Sequence, residues 1–104
     1  MHPLDALWQT VQSRRDADPE ESWTAKLLSR GPAKCAEKFG EEAVETLIEA
    51  VRGDREKLAE EGADMLYHFC VMLAAADVDL ADVMARLEAR AGISGITEKA
   101  ARPD

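Results

Sequence analysis

The sequence feature that most constrains this chain is the dipeptide Gly53-Asp54. It falls between two long stretches with helical patterning, about Pro32 to Arg52 and about Arg55 to Ala76. Glycine is the usual left-handed stop of a helix, and aspartate is among the best N-caps. A link this short forces the second helix to run back antiparallel to the first. The rest of the chain must pack around that hairpin.

Three further helices are expected. Leu4, Leu7, Trp8 and Val11 recur on one face, which predicts a first helix from Leu4 to about Arg15, with Pro3 suited to its start. Asp16-Ala17-Asp18-Pro19 breaks it. Ser22 is placed to cap a short helix from Trp23 to Arg30, which Gly31-Pro32 ends. Asp79 caps a last helix, about Leu80 to Ala91, with Leu80, Val83, Met84 and Leu87 on one face and Gly92 as its stop. Ile93 and Ile96 follow outside any helix and are expected to pack on a neighbour, while Thr97 to Asp104 has no pattern and is expected to be mobile or ordered only by packing. Ala, Leu, Glu, Lys and Arg dominate, aromatic residues make up 5%, and β-branched runs are scarce. The fold class is therefore all-α, an antiparallel bundle of about five helices, forming one domain over residues 1–104.

The stretch from Leu66 to Ala76 is apolar nearly all round apart from His68. A helix without a polar side must be covered on every side. A chain of 104 residues has few helices to do that, so a second copy is expected to supply part of the cover in a homodimer. In the preceding helix, Ala36, Phe39, Ala43, Val44, Leu47, Ala50 and Val51 form the expected apolar face. Lys38, Glu42, Glu45 and Glu49 then fall roughly opposite, at about 100° per residue.

A net charge of −8 argues against nonspecific binding to nucleic acid or to anionic membranes. The N-terminus lacks the basic and apolar regions of a signal peptide, and the apolar run Val71 to Ala76 is too short to span a bilayer. A cytoplasmic protein is expected. Cys35 and Cys70 have no metal-ligand spacing and read as small buried apolar side chains.

Chemistry enters with four acids. Glu42 and Glu45 precede the turn, and Glu61 and Asp64 follow it, each pair three residues apart and so on one helical face. The first pair, opposite an apolar stripe, reads as solvated surface if taken alone. The second pair lies at the edge of its stripe, so partial cover is expected. Clustered carboxylates in such surroundings take up protons or destabilise the fold unless a cation joins them. The ligands are hard oxygens without a thiolate, which selects Mg²⁺, with Mn²⁺ as the alternative. Such a centre suits phosphoanhydride hydrolysis, with Glu41 or Glu45 as candidate general base. Lys26, Arg30, Lys34 and Lys38 form a basic series leading into the acids and are candidates to hold phosphates. Solvated surface with an intrahelical Lys38–Glu42 pair is the plainer alternative. His68, one turn past Asp64, reads as a packing residue or a member of the site.

Several ordered segments resemble phosphoribosyl-ATP pyrophosphohydrolase. They are Ser22-Trp23-Thr24-Ala25-Lys26-Leu27-Leu28, Gly31-Pro32, Lys38-Phe39-Gly40-Glu41-Glu42-Ala43-Val44-Glu45, Glu61-Gly62-Ala63-Asp64-Met65-Leu66-Tyr67-His68 and Gly92-Ile93-Ser94-Gly95-Ile96. The likeness runs from Leu4 to about Ala101. The family belongs to the MazG-like all-α nucleotide pyrophosphatases. The resemblance implies a dimeric helical bundle that cleaves phosphoribosyl-ATP, with Mg²⁺, to phosphoribosyl-AMP and pyrophosphate, the second step of histidine biosynthesis. It also implies Glu42, Glu45, Glu61 and Asp64 as metal ligands, with Glu41 beside them. Trp23 stands where the family usually shows tyrosine, and Gly62 where alanine is common. Two alternatives remain at this level: a house-cleaning pyrophosphatase of free nucleoside triphosphates, and a non-catalytic helical dimerisation module.

Overall fold

A computed structural model describes residues 1–91, which form five helices in the order α1 (Pro3–Ser13), α2 (Trp23–Ser29), α3 (Pro32–Arg52), α4 (Arg55–Ala75) and α5 (Leu80–Arg90). No strand occurs among the described residues. The expectations for Gly92, Ile93, Ile96 and Thr97 onward lie outside them.

The punctuation works as its chemistry dictates. Gly53 ends α3 at φ 80°, in the left-handed region, and its N–H bonds the carbonyls of Glu49 and Ala50. The Asp54 carboxylate accepts the Lys57 N–H at 3.1 Å and opens α4. Ser22 Oγ accepts the Ala25 N–H at 3.1 Å, and the Asp79 carboxylate accepts the Ala81 N–H at 2.9 Å. The α1 helix stops at Ser13, earlier than expected. Arg15 leaves the helix and donates Nη2 to the Ala74 carbonyl at 2.7 Å, beside the Asp77 N–H that the same carbonyl accepts at the end of α4.

The core is built around the second half of α4. Cys70, Val71 and Ala74 are buried there against Val11 of α1, Leu27 of α2 and Cys35 of α3. Leu80 at the start of α5 is buried as well, while Leu87 near its end is exposed. Each such large aliphatic side chain contributes roughly 1.5–3 kcal/mol. Both cysteines are buried and unpaired, and Cys35 Sγ donates to the Leu27 carbonyl. One side of the apolar run of α4 is thus covered within the chain, while Leu66 at its start stays 44% exposed. The short helices α1 and α2 both pack on this part of α4.

The orientation of α3 also departs from expectation. It docks on α4 through Cys35, Phe39, Glu42, Thr46 and Glu49, a row spaced by three and four residues. Phe39 packs on Phe69 of α4 with ring centroids 5.8 Å apart. Glu49 is only 7% exposed, with Arg52 at 3.4 Å, whereas Val44, Leu47, Ile48 and Val51 are 51%, 54%, 42% and 85% exposed. The apolar stripe points away from α4 and the acidic side points toward it. A helical wheel ranks faces by hydrophobicity. It cannot register that the docking row holds two aromatic- or cysteine-bearing turns followed by polar ones.

Candidate metal centre

Because the acidic side of α3 faces α4, the antiparallel hairpin brings the two acidic pairs together. One carboxylate oxygen each from Glu42, Glu45 and Glu61 can lie within 4.8 Å of the others. At that distance two unit charges repel by about 3–4 kcal/mol for an effective dielectric constant near 20. Ordinary surface ion pairs are worth a fraction of that. The cluster is therefore electrostatically unfavourable when fully ionised.

Each pair divides into an inward and an outward member. The Glu42 side chain is 22% exposed, and its Oε2 is buried without a hydrogen-bond partner. Glu61 is partly covered, and its Oε2 is buried and unpartnered too. Glu45 and Asp64 are exposed at the rim. Asp64 lies outside the tight group of three but close enough to act electrostatically on Glu61 and His68. Burial pushes the Glu42 carboxyl up to about 7, with further contributions from the neighbouring Glu45 and Glu61. Burial raises Glu61 as well, and so does Glu45 beside it. These shifts favour the protonated carboxyls, so the cluster favours a proton or a cation over full ionisation.

His68 sits above the cluster, 9% exposed, with Nε2 4.0 Å from Glu42 Oε1. Its Nδ1 is buried and unpartnered. Burial lowers its basicity first of all; Asp64 opposes that and Lys38 reinforces it. The ring is steadied from behind by Tyr67, edge-on at 5.0 Å between centroids, whose hydroxyl is 2.6 Å from Thr24 Oγ1. Tyr67 and Thr24 gave no separate signal in the sequence, since their pairing depends on how α2 crosses α4. Thr46 was also missed. A lone threonine among acids in a helix interior was the available clue.

The remaining candidates are placed as follows. Glu41 is exposed and pairs with Lys38 at 3.3 Å, so the expected Lys38–Glu42 pair gives way to Lys38–Glu41. Glu42 is turned toward α4, away from its own helix's lysine. Lys34 pairs with Glu37 at 3.2 Å. Arg30 lies over the exposed Trp23 ring at 6.0 Å, and Lys26 is exposed on the same short helix.

Two buried, unpartnered carboxylate oxygens, on Glu42 and Glu61, in a group of three converging carboxylates fit a hard divalent cation. The donor set is oxygen with one imidazole nearby, which suits Mg²⁺ or Mn²⁺ better than a thiolate-seeking metal.

Comparison with known proteins bears on this geometry. The family described as phosphoribosyl-ATP pyrophosphohydrolase matches residues 4–91. A phosphoribosyl-ATP pyrophosphatase of Cereibacter sphaeroides is 69% identical over 102 residues, covering 98% of this chain and 99% of that protein. One from Ruegeria pomeroyi is 66% identical over 103 residues, covering 99% and 98%. One from Dinoroseobacter shibae is 66% identical over 102 residues, covering 98% and 100%.

Proposed function

The chain belongs to the phosphoribosyl-ATP pyrophosphohydrolase family, and from that membership we propose that its acidic centre hydrolyses phosphoribosyl-ATP to phosphoribosyl-AMP and pyrophosphate, the second step of histidine biosynthesis. The observation that carries the site assignment is the convergence of Glu42, Glu45 and Glu61 with two buried carboxylate oxygens left unpartnered. The proposed cation is Mg²⁺, with Mn²⁺ able to replace it. When bound, it supplies charge neutralisation at the phosphate oxygens and polarisation of water.

The protein residues divide the remaining work. Glu42 and Glu61 hold the cation from the inside, and Glu45 and Asp64 complete its oxygen shell at the rim. Glu45 also has access to solvent, so it can accept the proton of the attacking water. Glu41, the other candidate base, is 3.3 Å from Lys38 and further from the convergence point. That favours Glu45. Lys38 and Lys34 hold exposed partners worth about 0–1 kcal/mol, which a phosphate can displace at little cost. With Lys26 and Arg30 they are proposed to receive the triphosphate. Tyr67 and Thr24 keep the His68 ring oriented over Glu42.

The exposed row Val44, Leu47, Ile48 and Val51 supports a homodimer formed through the outer face of α3. None of the described helices is long and apolar enough to cross a membrane, and a cytoplasmic location is proposed. The test is to incubate purified protein with phosphoribosyl-ATP, with and without Mg²⁺, beside a panel of nucleoside triphosphates. Pyrophosphate release only from phosphoribosyl-ATP and only with Mg²⁺ is expected. Release mainly from free triphosphates would point to a house-cleaning enzyme. No release from any of them would leave a helical interaction module.

A further inference from the structure

Thr46 stands in the middle of α3, one turn past Glu42, and is half-buried against α4. Its Oγ1 is 2.7 Å from the Glu42 carbonyl oxygen and 3.0 Å from the Glu61 carbonyl oxygen. A helical threonine ordinarily bonds back to the carbonyl four residues earlier and nothing more. Here the same hydroxyl also reaches across to the second helix. Its one proton is shared between two acceptors.

Neither carbonyl needs the hydroxyl. Both residues lie inside helices, where the amides of residues 46 and 65 already serve them. The bridge therefore does not rescue an unsatisfied backbone group. What it does is tie together the backbones of the two glutamates whose side chains meet at the cluster. It is a side-chain to backbone hydrogen bond that joins α3 to α4. It also works against a defined force, the mutual repulsion of Glu42, Glu45 and Glu61 across the same helix pair.

We propose that Thr46 is a positioning residue for the cation site: its hydroxyl bridges the Glu42 and Glu61 carbonyls and fixes the approach and register at which their carboxylates can share one ion. The proposal rests on the metal reading given above. A mere packing role would be served equally by valine, which has threonine's shape without its hydroxyl.

The test compares parent protein, Thr46→Val and Thr46→Ser for Mn²⁺ affinity, read by electron paramagnetic resonance of the free ion, and for melting temperature without metal. Losing a group that holds metal ligands in place costs metal affinity about tenfold or more, which is the effect expected of Thr46→Val. Thr46→Ser keeps the hydroxyl and is expected to bind Mn²⁺ like the parent. Parent-like affinity in the valine variant overturns the proposal, whatever happens to its melting temperature. So does a serine variant with weakened binding; if the valine variant does not fold, Thr46→Ala takes its place, with the same loss of affinity expected and parent-like affinity overturning the proposal. A parent protein that binds no Mn²⁺ at all overturns the metal reading itself, and is distinguishable from both.

Discussion

The two faces of α3 invert the usual amphipathic order. The face against α4 carries Glu42, Thr46 and Glu49, and the face toward solvent carries Val44, Leu47, Ile48 and Val51. In a monomeric bundle this is the unfavourable way to turn such a helix. Exposing four aliphatic residues forgoes burial worth roughly 1.5–3 kcal/mol each, and covering carboxylates adds a desolvation cost. Two unmet demands on one helix teach more than either alone. The inner face is suited to a cation, and the outer face to a second copy of the chain. The second half of α4 is better covered, because α1, α2 and the start of α3 bury Cys70, Val71 and Ala74, although Leu66 at its start is 44% exposed.

The largest effect is expected on the inner face. Glu42→Gln removes an inward ligand at nearly constant shape. Turnover of phosphoribosyl-ATP is expected to fall on the order of a thousandfold, about 4 kcal/mol in the barrier, with helicity unchanged by circular dichroism. If steady-state assays give parent-like rates, the inner face is only tolerated surface. The outer face comes next. Leu47→Glu combined with Val51→Glu puts charge into the proposed interface and is expected to weaken dimerisation by a hundredfold or more, about 3 kcal/mol. Sedimentation should change from dimer to monomer at micromolar concentration. A parent chain that is already monomeric there would break the comparison at its outer half.

How much of this was legible in the sequence follows from where the information resides. Caps and stops are local chemistry, so Ser22, Gly31-Pro32, Gly53-Asp54 and Asp79 placed the helix ends closely. The acid pairs were visible from their spacing, and the hairpin made their meeting plausible. The rotation of α3 was not visible. It depends on Phe39 finding Phe69 and on Thr46 finding Glu61, contacts between distant segments that no single helix encodes. For the same reason the acids were ranked wrongly as pairs. The structure divides each pair, with Glu42 and Glu61 inward and Glu45 and Asp64 at the rim. Asp77 was also beyond reach: its φ of 58° bends the α4–α5 link with a residue less common there than glycine.

The inner face should also be visible through pH. The Glu42 carboxyl is raised to about 7 in the folded chain from an ordinary value near 4.5, mainly by burial. Between those values the folded state binds more protons than the unfolded state, so metal-free stability must fall as pH rises. A loss of about 2 kcal/mol between pH 4.5 and 7.5 is expected after allowance for partial exposure and sharing with its neighbours. Denaturant titrations in a chelator should trace it, and Glu42→Gln should flatten it. Saturating Mg²⁺ should flatten it too, since the cation takes the place of the proton. An unchanged slope in Glu42→Gln would assign the proton elsewhere in the cluster.

The smallest effect tests whether the inner face is tuned for rigidity. Gly62 follows Glu61 inside α4, and a Cβ added there meets nothing within 4 Å. Glycine in a helix interior costs about 0.5–1 kcal/mol relative to alanine. Gly62→Ala is therefore expected to stabilise the protein by about that amount in chemical denaturation. Gly53 provides the control, because its φ of 80° makes Gly53→Ala destabilising although the space is equally open. The informative quantity is turnover in Gly62→Ala. If it matches the parent, the glycine beside Glu61 is neutral to the site. If turnover falls while stability rises, α4 must yield at Glu61 during the reaction. The acidic seam between α3 and α4 then differs from the outer face of α3 in dynamics as well as in charge.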